Sequence, residues 1–313
     1  MSERRTLTVA YVGNFTPEWS TESAVASALQ NLGHRVIAVS ELTASAAELQ
    51  SAAHAADLVL WTHTHQLGSL EAQWQLVELT SRPPLIGLHL DRWWGLARES
   101  DIFTHPFFKC DVLWTADGGH EQLWREAGVT HRWLLPALDA RGTDTPARVA
   151  ASPIIFVGNF TSYHPEWPHR AELVAHLREW YGDKFAALPA PGAPRLVGQQ
   201  LTNLYSAARV VVGDSCLAGN ADHYFSDRVP ETVGRGGFLL HPAVQGLEYV
   251  VVPGRHVITW SLGDWQELRE LTSRALRDEA WCHQVASAGC AHVRQHHTWE
   301  SRLRVVIATS LSS

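Results

Sequence analysis

Short apolar runs alternate along the chain with longer segments in which apolar positions recur at every third or fourth residue. The first pattern is typical of buried strands and the second of amphipathic helices. Their alternation favours an α/β fold with parallel sheets. The predicted strands are residues 7–12, 36–39, 58–61, 85–90, 111–115, 133–135, 154–157, 209–213, 238–241 and 257–260. The predicted helices are residues 22–32, 49–55, 73–79, 170–180, 201–208, 227–235, 265–276 and 280–295.

The alternation lapses between residues 136 and 153, where a polar stretch with prolines replaces the apolar pattern. Such a segment is typical of a linker. A chain of 313 residues is also long enough for two domains of ordinary size. We therefore predict two Rossmann-like, doubly wound α/β domains, residues 1–145 and 146–313, which face each other across a cleft.

The two predicted domains begin with the same short motif. Residues 11–16 read Tyr-Val-Gly-Asn-Phe-Thr and residues 156–161 read Phe-Val-Gly-Asn-Phe-Thr, and a Pro-Glu-Trp sequence follows each of them. Both motifs lie where a first strand passes into a first helix, which is the edge at which open α/β sheets bind ligands. We predict that Gly13, Asn14, Gly158 and Asn159 line the cleft, although a match this short also arises by chance.

Composition and charge narrow the class of protein. Hydrophobic residues make up 45% of the chain and charged residues 18%, which excludes a disordered acidic chain and a coiled coil. The net charge of −7 argues against a protein that coats DNA by electrostatics alone. No apolar run suits a membrane helix, the first residues have no signal-peptide pattern, and the four cysteines form no CxxC pair. We expect a cytoplasmic protein with no membrane partner.

Residues 224–237, Tyr-Phe-Ser-Asp-Arg-Val-Pro-Glu-Thr-Val-Gly-Arg-Gly-Gly, carry the strongest chemical signal. Ser226 or Asp227 can cap a helix that has a proline in its first turn and ends at the glycine pair. Arg228 at the helix start offers a fixed cation for a diphosphate, and the Glu231 carboxylate can accept hydrogen bonds from ribose hydroxyls. The alternative is a capped core helix with an Arg–Glu pair on its surface.

This motif and three later segments together resemble the C-terminal domain of CgeB-like glycosyltransferases of the GT-B fold. The four segments are residues 226–242, 256–260, 265–276 and 297–302. In that family a Ser-x-Arg-x-x-Glu helix ends in a small-residue–Gly pair, and a His-Thr-aromatic-x-x-Arg segment lies near the chain end. The resemblance covers residues 154–311, and the first half is more weakly similar to the N-terminal domains of such enzymes, including actinobacterial and phage-encoded ones.

The resemblance implies a role for each domain. The C-terminal domain would bind a nucleotide-diphosphate-sugar donor, with Arg228 on the diphosphate, Glu231 on the ribose, and Gly158 and Asn159 along the phosphate side. The N-terminal domain would bind a hydroxyl acceptor, and the last helix, about 297–310, would pack back on it. The implied reaction needs no cofactor besides the nucleotide-sugar co-substrate.

One position departs from the family pattern. Many retaining GT-B enzymes have a second glutamate eight positions before the ribose-binding one, and this chain has His223 there. The resemblance therefore does not establish a retaining mechanism.

The N-terminal half supplies candidates for a catalytic base. His89 and Asp91 are two positions apart at the end of the predicted strand 85–90, so an extended chain would place both on one face. Either can take a proton from an acceptor hydroxyl. The alternative is a satisfied polar pair at a strand end.

Five other residues are expected on the acceptor side. Gly13 and Asn14 belong to the repeated motif, and His63, Asp117 and His120 follow predicted strands. A glycine pair between Asp117 and His120 allows close backbone approach. His63 and His65 have a spacing that suits a metal, but no third ligand accompanies them, so we predict no metal site.

Other function classes fit the sequence less well. A nicotinamide-dependent oxidoreductase would carry GxGxxG after its first strand, and the residues after Gly13 do not supply it. A nucleotide-sugar hydrolase or epimerase, or a non-catalytic two-lobed binding protein, would share the architecture. The acceptor is expected to be a small molecule or a glycan. A modified DNA base is kept open, although charges over residues 82–148 are nearly balanced.

Overall fold

The computed structural model describes residues 6–63, 68–144, 152–159, 167–216 and 223–311. The chain divides into two compact units. The first unit runs to Leu134 and also contains the chain from Trp299 onward, and the second runs from Leu135 to Thr298.

The first unit is built on a six-stranded parallel sheet in the order β2-β1-β3-β4-β5-β6. Its strands are β1 (Thr8–Gly13), β2 (Arg35–Ser40), β3 (Leu58–Thr62), β4 (Leu85–His89), β5 (Val112–Thr115) and β6 (His131–Trp133). Its helices are α1 (Thr21–Asn31), α2 (Ala46–His54), α3 (Leu70–Val77), α4 (Glu121–Glu126) and α10 (Trp299–Leu311), with 3-10 turns at Ala97–Phe103 and Pro106–Lys109.

Local sequence explains where the first helices begin. Ser20, Ser45 and Ser69 occupy the N-cap positions of α1, α2 and α3, and each side-chain oxygen accepts a backbone N–H from the first turn. Glu48 completes a capping box with Ser45. The central strands β3 and β4 are buried along their whole length, as expected for a parallel sheet covered on both faces.

Helix α10 packs against α1 in the first unit. Two hydrogen bonds fix it there. The Asn31 side-chain amide donates to Glu300 Oε1 at 3.0 Å, and the Trp114 indole donates to Ser310 Oγ at 3.0 Å.

The second unit has a five-stranded parallel sheet in the order β11-β10-β9-β7-β8. Its strands are β7 (Ile154–Val157), β8 (Phe185–Leu188), β9 (Val210–Val212), β10 (Leu239–Pro242) and β11 (Ile258–Trp260). Its helices are α5 (Arg170–Tyr181), α6 (Gly198–Ala207), α7 (Arg228–Gly234), α8 (Trp265–Arg277) and α9 (Glu279–His296), with 3-10 turns at Gly182–Lys184 and Leu247–Tyr249.

Both sheets reverse their strand order at one point, between β1 and β3 in the first and between β7 and β9 in the second. The repeated Gly-Asn pair lies at the carboxyl end of the strand on one side of each reversal point: Gly13 is the last residue of β1, and Gly158-Asn159 follows β7. Ligands of doubly wound sheets bind at this place. The predicted α/β class with two parallel sheets is confirmed.

Three parts of the sequence prediction differ from the structure. Strand β8 and helix α4 were not predicted, because β8 is four residues with two alanines and α4 is only six residues. Strand β6 lies two residues before the predicted one. The described part of the predicted linker is bonded to the second unit, since Thr202 Oγ1 donates to Gly142 O. Among the described helices, none is long and apolar enough to cross a membrane.

Candidate functional site

A cavity of about 510 Å³ lies at the carboxyl edge of the second sheet, a volume within the range of small-molecule sites. Four structural parts form its walls: the end of β7, the loop after β8, helix α6 and the start of α7. All four predicted donor-binding residues line it, namely Gly158, Asn159, Arg228 and Glu231. Residues from positions more than 70 apart in the sequence therefore lie around one cavity.

Arg228 is held by a carboxylate from the neighbouring strand end. Its Nη1 donates to Asp214 Oδ1 at 2.8 Å, and Asp214, just past β9, is only 3% exposed. A Cβ on Gly158 would lie 3.1 Å from the ring of Phe156 and 3.4 Å from Arg228 Cζ, so the tight contact that the glycine avoids is with Phe156. Of the two predicted caps, Asp227 holds the N-cap position of α7, but its side chain makes no capping hydrogen bond.

A second arginine shares the same carboxylate. Arg170 Nε donates to Asp214 Oδ2 at 2.5 Å and Arg170 Nη1 donates to the carbonyl of Asn159 at 2.9 Å. Both guanidinium groups lie near the ring of Trp167, at 4.3 Å for Arg170 and 5.4 Å for Arg228. Two cations on one buried carboxylate leave this cluster of three side chains with one net positive charge.

His241 adds no charge to this cluster. It lies at the end of β10 and is 3% exposed, and burial lowers its pKa to about 4. The ring is therefore neutral near pH 7. Its Nδ1 lies 2.8 Å from the carbonyl of Pro242.

Both carboxylate oxygens of Glu231 accept hydrogen bonds from the protein. Oε1 accepts the backbone N–H of Asp139 at 2.6 Å, and Oε2 accepts Arg235 Nε at 2.6 Å. The side chain is 17% exposed. Burial raises its pKa to about 7, against the opposing effects of Arg235 and the Asp139 amide. Each oxygen has a second lone pair with which to accept from a ligand hydroxyl.

The carboxyl edge of the first sheet is packed with aromatic rings. His63 Nδ1 lies 2.6 Å from Glu41 Oε1, which also accepts the indole N–H of Trp61 at 2.9 Å. The His63 ring stacks on Trp93 at an interplanar angle of 10°. His89 Nδ1 lies 3.2 Å from the carbonyl of His63. His63 and His89 are 6% and 2% exposed.

His89 and Asp91 lie in different environments. Strand β4 ends at His89, so the alternation that predicted one shared face does not extend to Asp91. The Asp91 side chain is exposed, whereas the His89 ring packs 4.8 Å from Trp93. Of the two candidate bases, Asp91 is the one that solvent reaches.

Asp117 is a buried acid beyond the end of β5. It is 1% exposed, and its Oδ2 accepts the backbone N–H of Trp93 at 2.7 Å. Burial raises its pKa to about 7, although the charges of Arg92 and Arg98 oppose this. A carboxyl group with such a pKa exchanges its proton near neutral pH.

The remaining acceptor-side candidates lie at other strand ends of the first unit. Gly13 ends β1, and a Cβ there would lie 2.8 Å from Glu22 Cγ. Asn14 Oδ1 accepts the N–H of Thr16 at 3.2 Å. His120 holds the N-cap position of α4.

No group of three or more potential metal ligands occurs within the described ranges. His65, part of the histidine pair that was weighed as a metal site, lies outside them.

Sequence reasoning missed four residues that shape the sites: Asp139, Arg170, Asp214 and Arg235. Two of them had a usable signal: Asp214 follows a predicted strand directly, and Arg235 lies one helical turn after Glu231, a spacing that suits an ion pair. Asp139 and Arg170 act on partners 92 and 44 positions away, and periodicity carries no information on such contacts.

Solved structures with the same architecture share little sequence with this chain. Sucrose-phosphate synthase from Thermosynechococcus elongatus has a TM-score of 0.65 at 13% identity, with 99% of this chain and 100% of that chain covered. Anabaena HepE in complex with UDP and glucose has a TM-score of 0.66 at 12% identity, with 98% and 100% covered. An alpha-glucosyltransferase bound to UDP and a 13-mer DNA with a central A:G mismatch has a TM-score of 0.65 at 10% identity, with 98% and 100% covered.

These similarities establish the fold, which is the GT-B fold of glycosyltransferases. No curated protein matches this chain. The family model described as glycosyl transferase-like matches residues 125–308, which is more than half of the chain and includes the whole wall of the cavity. The chain therefore belongs to the glycosyl transferase-like family.

Proposed function

We propose that this protein is a CgeB-like glycosyltransferase that moves a sugar from a nucleotide-diphosphate-sugar to a hydroxyl acceptor. The observation that carries the proposal is the cavity of the second unit, where a fixed arginine and a hydrogen-bonded carboxylate lie beside the Gly158–Asn159 turn. The arginine and the Gly158–Asn159 backbone match the diphosphate of a donor molecule, and the carboxylate matches its ribose.

The chemistry of each wall supports a proposed position for the donor. Arg228 pairs with the diphosphate, because a guanidinium presents a planar fork to phosphate oxygens. The turn at Gly158 and Asn159 brings backbone close to the phosphates. Glu231 accepts hydrogen bonds from the vicinal ribose hydroxyls. The UDP bound to HepE and to the alpha-glucosyltransferase of the same fold supports this class of donor.

The positive charge near β7 and β9 stabilises the leaving nucleoside diphosphate. Asp214 neutralises only part of the charge of Arg170 and Arg228. Fixed cations aimed at developing negative charge lower the barrier to its departure. We infer that this cluster takes the place of a divalent metal ion, so that the transfer is metal-independent.

The acceptor is proposed to bind at the first unit. Asp91, whose side chain is exposed, is the proposed base, and His89 lies two residues earlier at the end of β4. Asp117 is the next candidate, because its raised pKa suits proton transfer near pH 7. Gly13, Asn14, His63 and His120 stay proposed as acceptor-side residues.

A small molecule or a glycan is the proposed acceptor. The net charge of −7 disfavours binding that depends on the phosphate backbone of DNA. The complex of the alpha-glucosyltransferase with a 13-mer DNA gives reason to include DNA in the test.

A two-part assay tests the proposal. The protein is incubated with UDP-, GDP- and TDP-linked sugars labelled in the sugar, with and without pools of small-molecule, glycan and hydroxymethylated-DNA acceptors. Each reaction is run with and without a chelator. Label in an acceptor product, formed only when donor and acceptor are both present, supports transfer.

Any other outcome of the assay indicates a different class of protein. Free labelled sugar without an acceptor indicates a hydrolase, and a changed sugar still attached to the nucleotide indicates an epimerase. Nucleotide binding without turnover indicates a binding protein. Loss of transfer in chelator, restored by Mg²⁺ or Mn²⁺, would contradict the metal-independent route.

A further inference from the structure

Arg235, at the end of α7, is an arginine buried among backbone carbonyls. It is 2% exposed, although it carries a full positive charge. Its guanidinium donates to Glu231 Oε2 at 2.6 Å, Thr202 Oγ1 at 2.7 Å, Asp139 O at 2.9 Å, Gly142 O at 3.1 Å and Gly198 O at 3.1 Å. A buried charge is tolerated when its hydrogen-bond donors are matched in this way.

These contacts join three separate segments around the cavity. Glu231 belongs to α7, Asp139 and Gly142 lie on the chain that enters the second unit, and Gly198 begins α6. The backbones meet closely, because a Cβ on Gly142 would lie 2.5 Å from the amide nitrogen of Gln199. Helix α6 contributes two further residues to the wall of the cavity.

The contacts form a closed loop about one carboxylate. Arg235 holds Glu231 Oε2, and through Nη2 it also holds the carbonyl of Asp139. The amide of Asp139 in turn donates to Glu231 Oε1. Both carboxylate oxygens are thereby fixed, so the plane of the carboxylate is set before a ligand arrives.

We propose that Arg235 is a positioning residue that orients the Glu231 carboxylate for the ribose of the donor by clamping the 139–142 segment and α6 against it. This inference rests on the proposed donor site. Arg235 does not line the cavity, so it acts on the ligand only through its neighbours. A carboxylate held in one plane discriminates between ligands by the position of their hydroxyls, because its lone pairs then point in fixed directions.

The charge of Arg235 has a second effect on the same group. Burial raises the pKa of Glu231, and Arg235 is the largest influence against that rise. The other charged groups around the cavity are Asp227 and Arg228 at the start of α7, Arg195 on the cavity wall, and the Asp139–Arg141 ion pair on the facing segment. Facing them from α6 is Tyr205, whose pKa burial raises to about 12, so it is uncharged. Without Arg235 the carboxyl would keep its proton to higher pH and lose acceptor capacity.

The test compares the affinity of UDP with that of 2′,3′-dideoxy-UDP by calorimetry between pH 6 and pH 9. Both ligands carry the same diphosphate, so the titration of the phosphate cancels in the ratio of their dissociation constants. The variants are Arg235→Met and Arg235→Lys. Arg209→Met is the matched control, since Arg209 pairs with Glu279 in the same unit but does not line the cavity.

We expect wild-type protein to prefer UDP, with a preference that falls as the pH drops through about 7 because Glu231 becomes protonated. Arg235→Met should reduce the preference about tenfold at pH 7 and move its midpoint to higher pH. Arg235→Lys should keep part of the preference for UDP and shift its midpoint less than Arg235→Met does. Arg209→Met should leave the preference and its midpoint unchanged.

Two results separate this inference from the proposed function. If wild-type protein binds no nucleoside diphosphate, the proposed function fails and this inference fails with it. If wild-type protein prefers UDP and Arg235→Met keeps the same preference and midpoint, only the role of Arg235 is overturned. Should Arg235→Met fail to give a cooperative thermal transition, Arg235→Lys decides: an unchanged midpoint and preference overturn the proposal.

Discussion

The two sheets of this protein both reverse their strand order once, but the side chains at the two carboxyl edges differ in kind. In the second unit the edge carries arginines that share the buried Asp214, beside a cavity of about 510 Å³. In the first unit the corresponding edge carries His63 and His89 packed against Trp93 and Phe107. The same strand topology thus supports a charged, open edge in one unit and an aromatic, buried edge in the other.

The side chains at the two edges are held in place by different kinds of contact. Glu231 is fixed by hydrogen bonds that Arg235 and the Asp139 amide donate to it, and Arg228 by the hydrogen bond that it donates to Asp214. The orientation of each side chain therefore depends on one or two directed partners. His63 is fixed by one hydrogen bond to Glu41 and by rings on several sides. Substitutions at the first kind of edge should act on ligand affinity, and those at the second kind on stability or turnover.

The largest expected effect is a loss of turnover, and it tests the first unit. Asp91→Asn keeps the shape of the side chain but removes the proposed base. Turnover should fall by about 10²–10⁴, while the dissociation constant of the donor stays nearly the same. Initial rates and calorimetry on the same preparation separate the two quantities.

Glu78→Gln, at another exposed acid of the first unit, serves as the control for Asp91. If Asp91→Asn retains full turnover, the base lies elsewhere, and Asp117→Asn is the next variant to measure.

The second effect concerns the cation at the charged edge. Arg228→Ala should weaken nucleoside-diphosphate binding by about 2–3 kcal/mol, because a charge-assisted contact to phosphate is lost. Arg228→Lys should recover only part, since an ammonium group does not present the planar fork. Arg269→Ala, which removes an exposed arginine stacked on Trp180, is the control. Equal affinity in wild type and Arg228→Ala would mean that Arg228 has a structural role only.

The third effect concerns the packed edge. Glu41→Ala removes the acceptor for both Trp61 and His63, which leaves two buried donors without their partner. The free energy of unfolding should fall by about 1–3 kcal/mol, as measured by urea denaturation. Nucleoside-diphosphate affinity should not change. If Glu41→Ala weakened nucleoside-diphosphate binding and left the free energy of unfolding unchanged, the claim that the two edges have different roles would be wrong.

The smallest expected effect is on the preference for ribose, and it tests the Glu231 carboxylate directly. Glu231→Gln keeps the packing but offers one accepting oxygen in place of two, so the preference for a ribose over a dideoxyribose ligand should fall by about 1 kcal/mol. Equal preference in the variant and the wild type would remove Glu231 from ribose recognition.

The parts of the site that were predictable from the sequence follow local rules. Gly158 and Asn159 come directly after a strand, and Arg228 and Glu231 are one turn apart on one helix, so periodicity and spacing locate them. The α/β class followed from the same alternation. Asp91 was placed with His89 by extending β4 two residues too far.

The rest depends on contacts that spacing does not encode. Asp139 lies 92 residues before Glu231, in a segment whose prolines, glycine and charges are typical of a linker. Arg235 received no role from the sequence, and it is buried because carbonyls from two distant segments surround it. Only the folded chain brings such acceptors together.

The most direct test of the central claim is a crystal structure of the protein with a nucleoside diphosphate. The account predicts the diphosphate within hydrogen-bonding distance of the Arg228 guanidinium and the ribose hydroxyls on the Glu231 carboxylate, in the cavity of the second unit. A nucleotide bound elsewhere, or bound in this cavity with neither residue in contact, would contradict it.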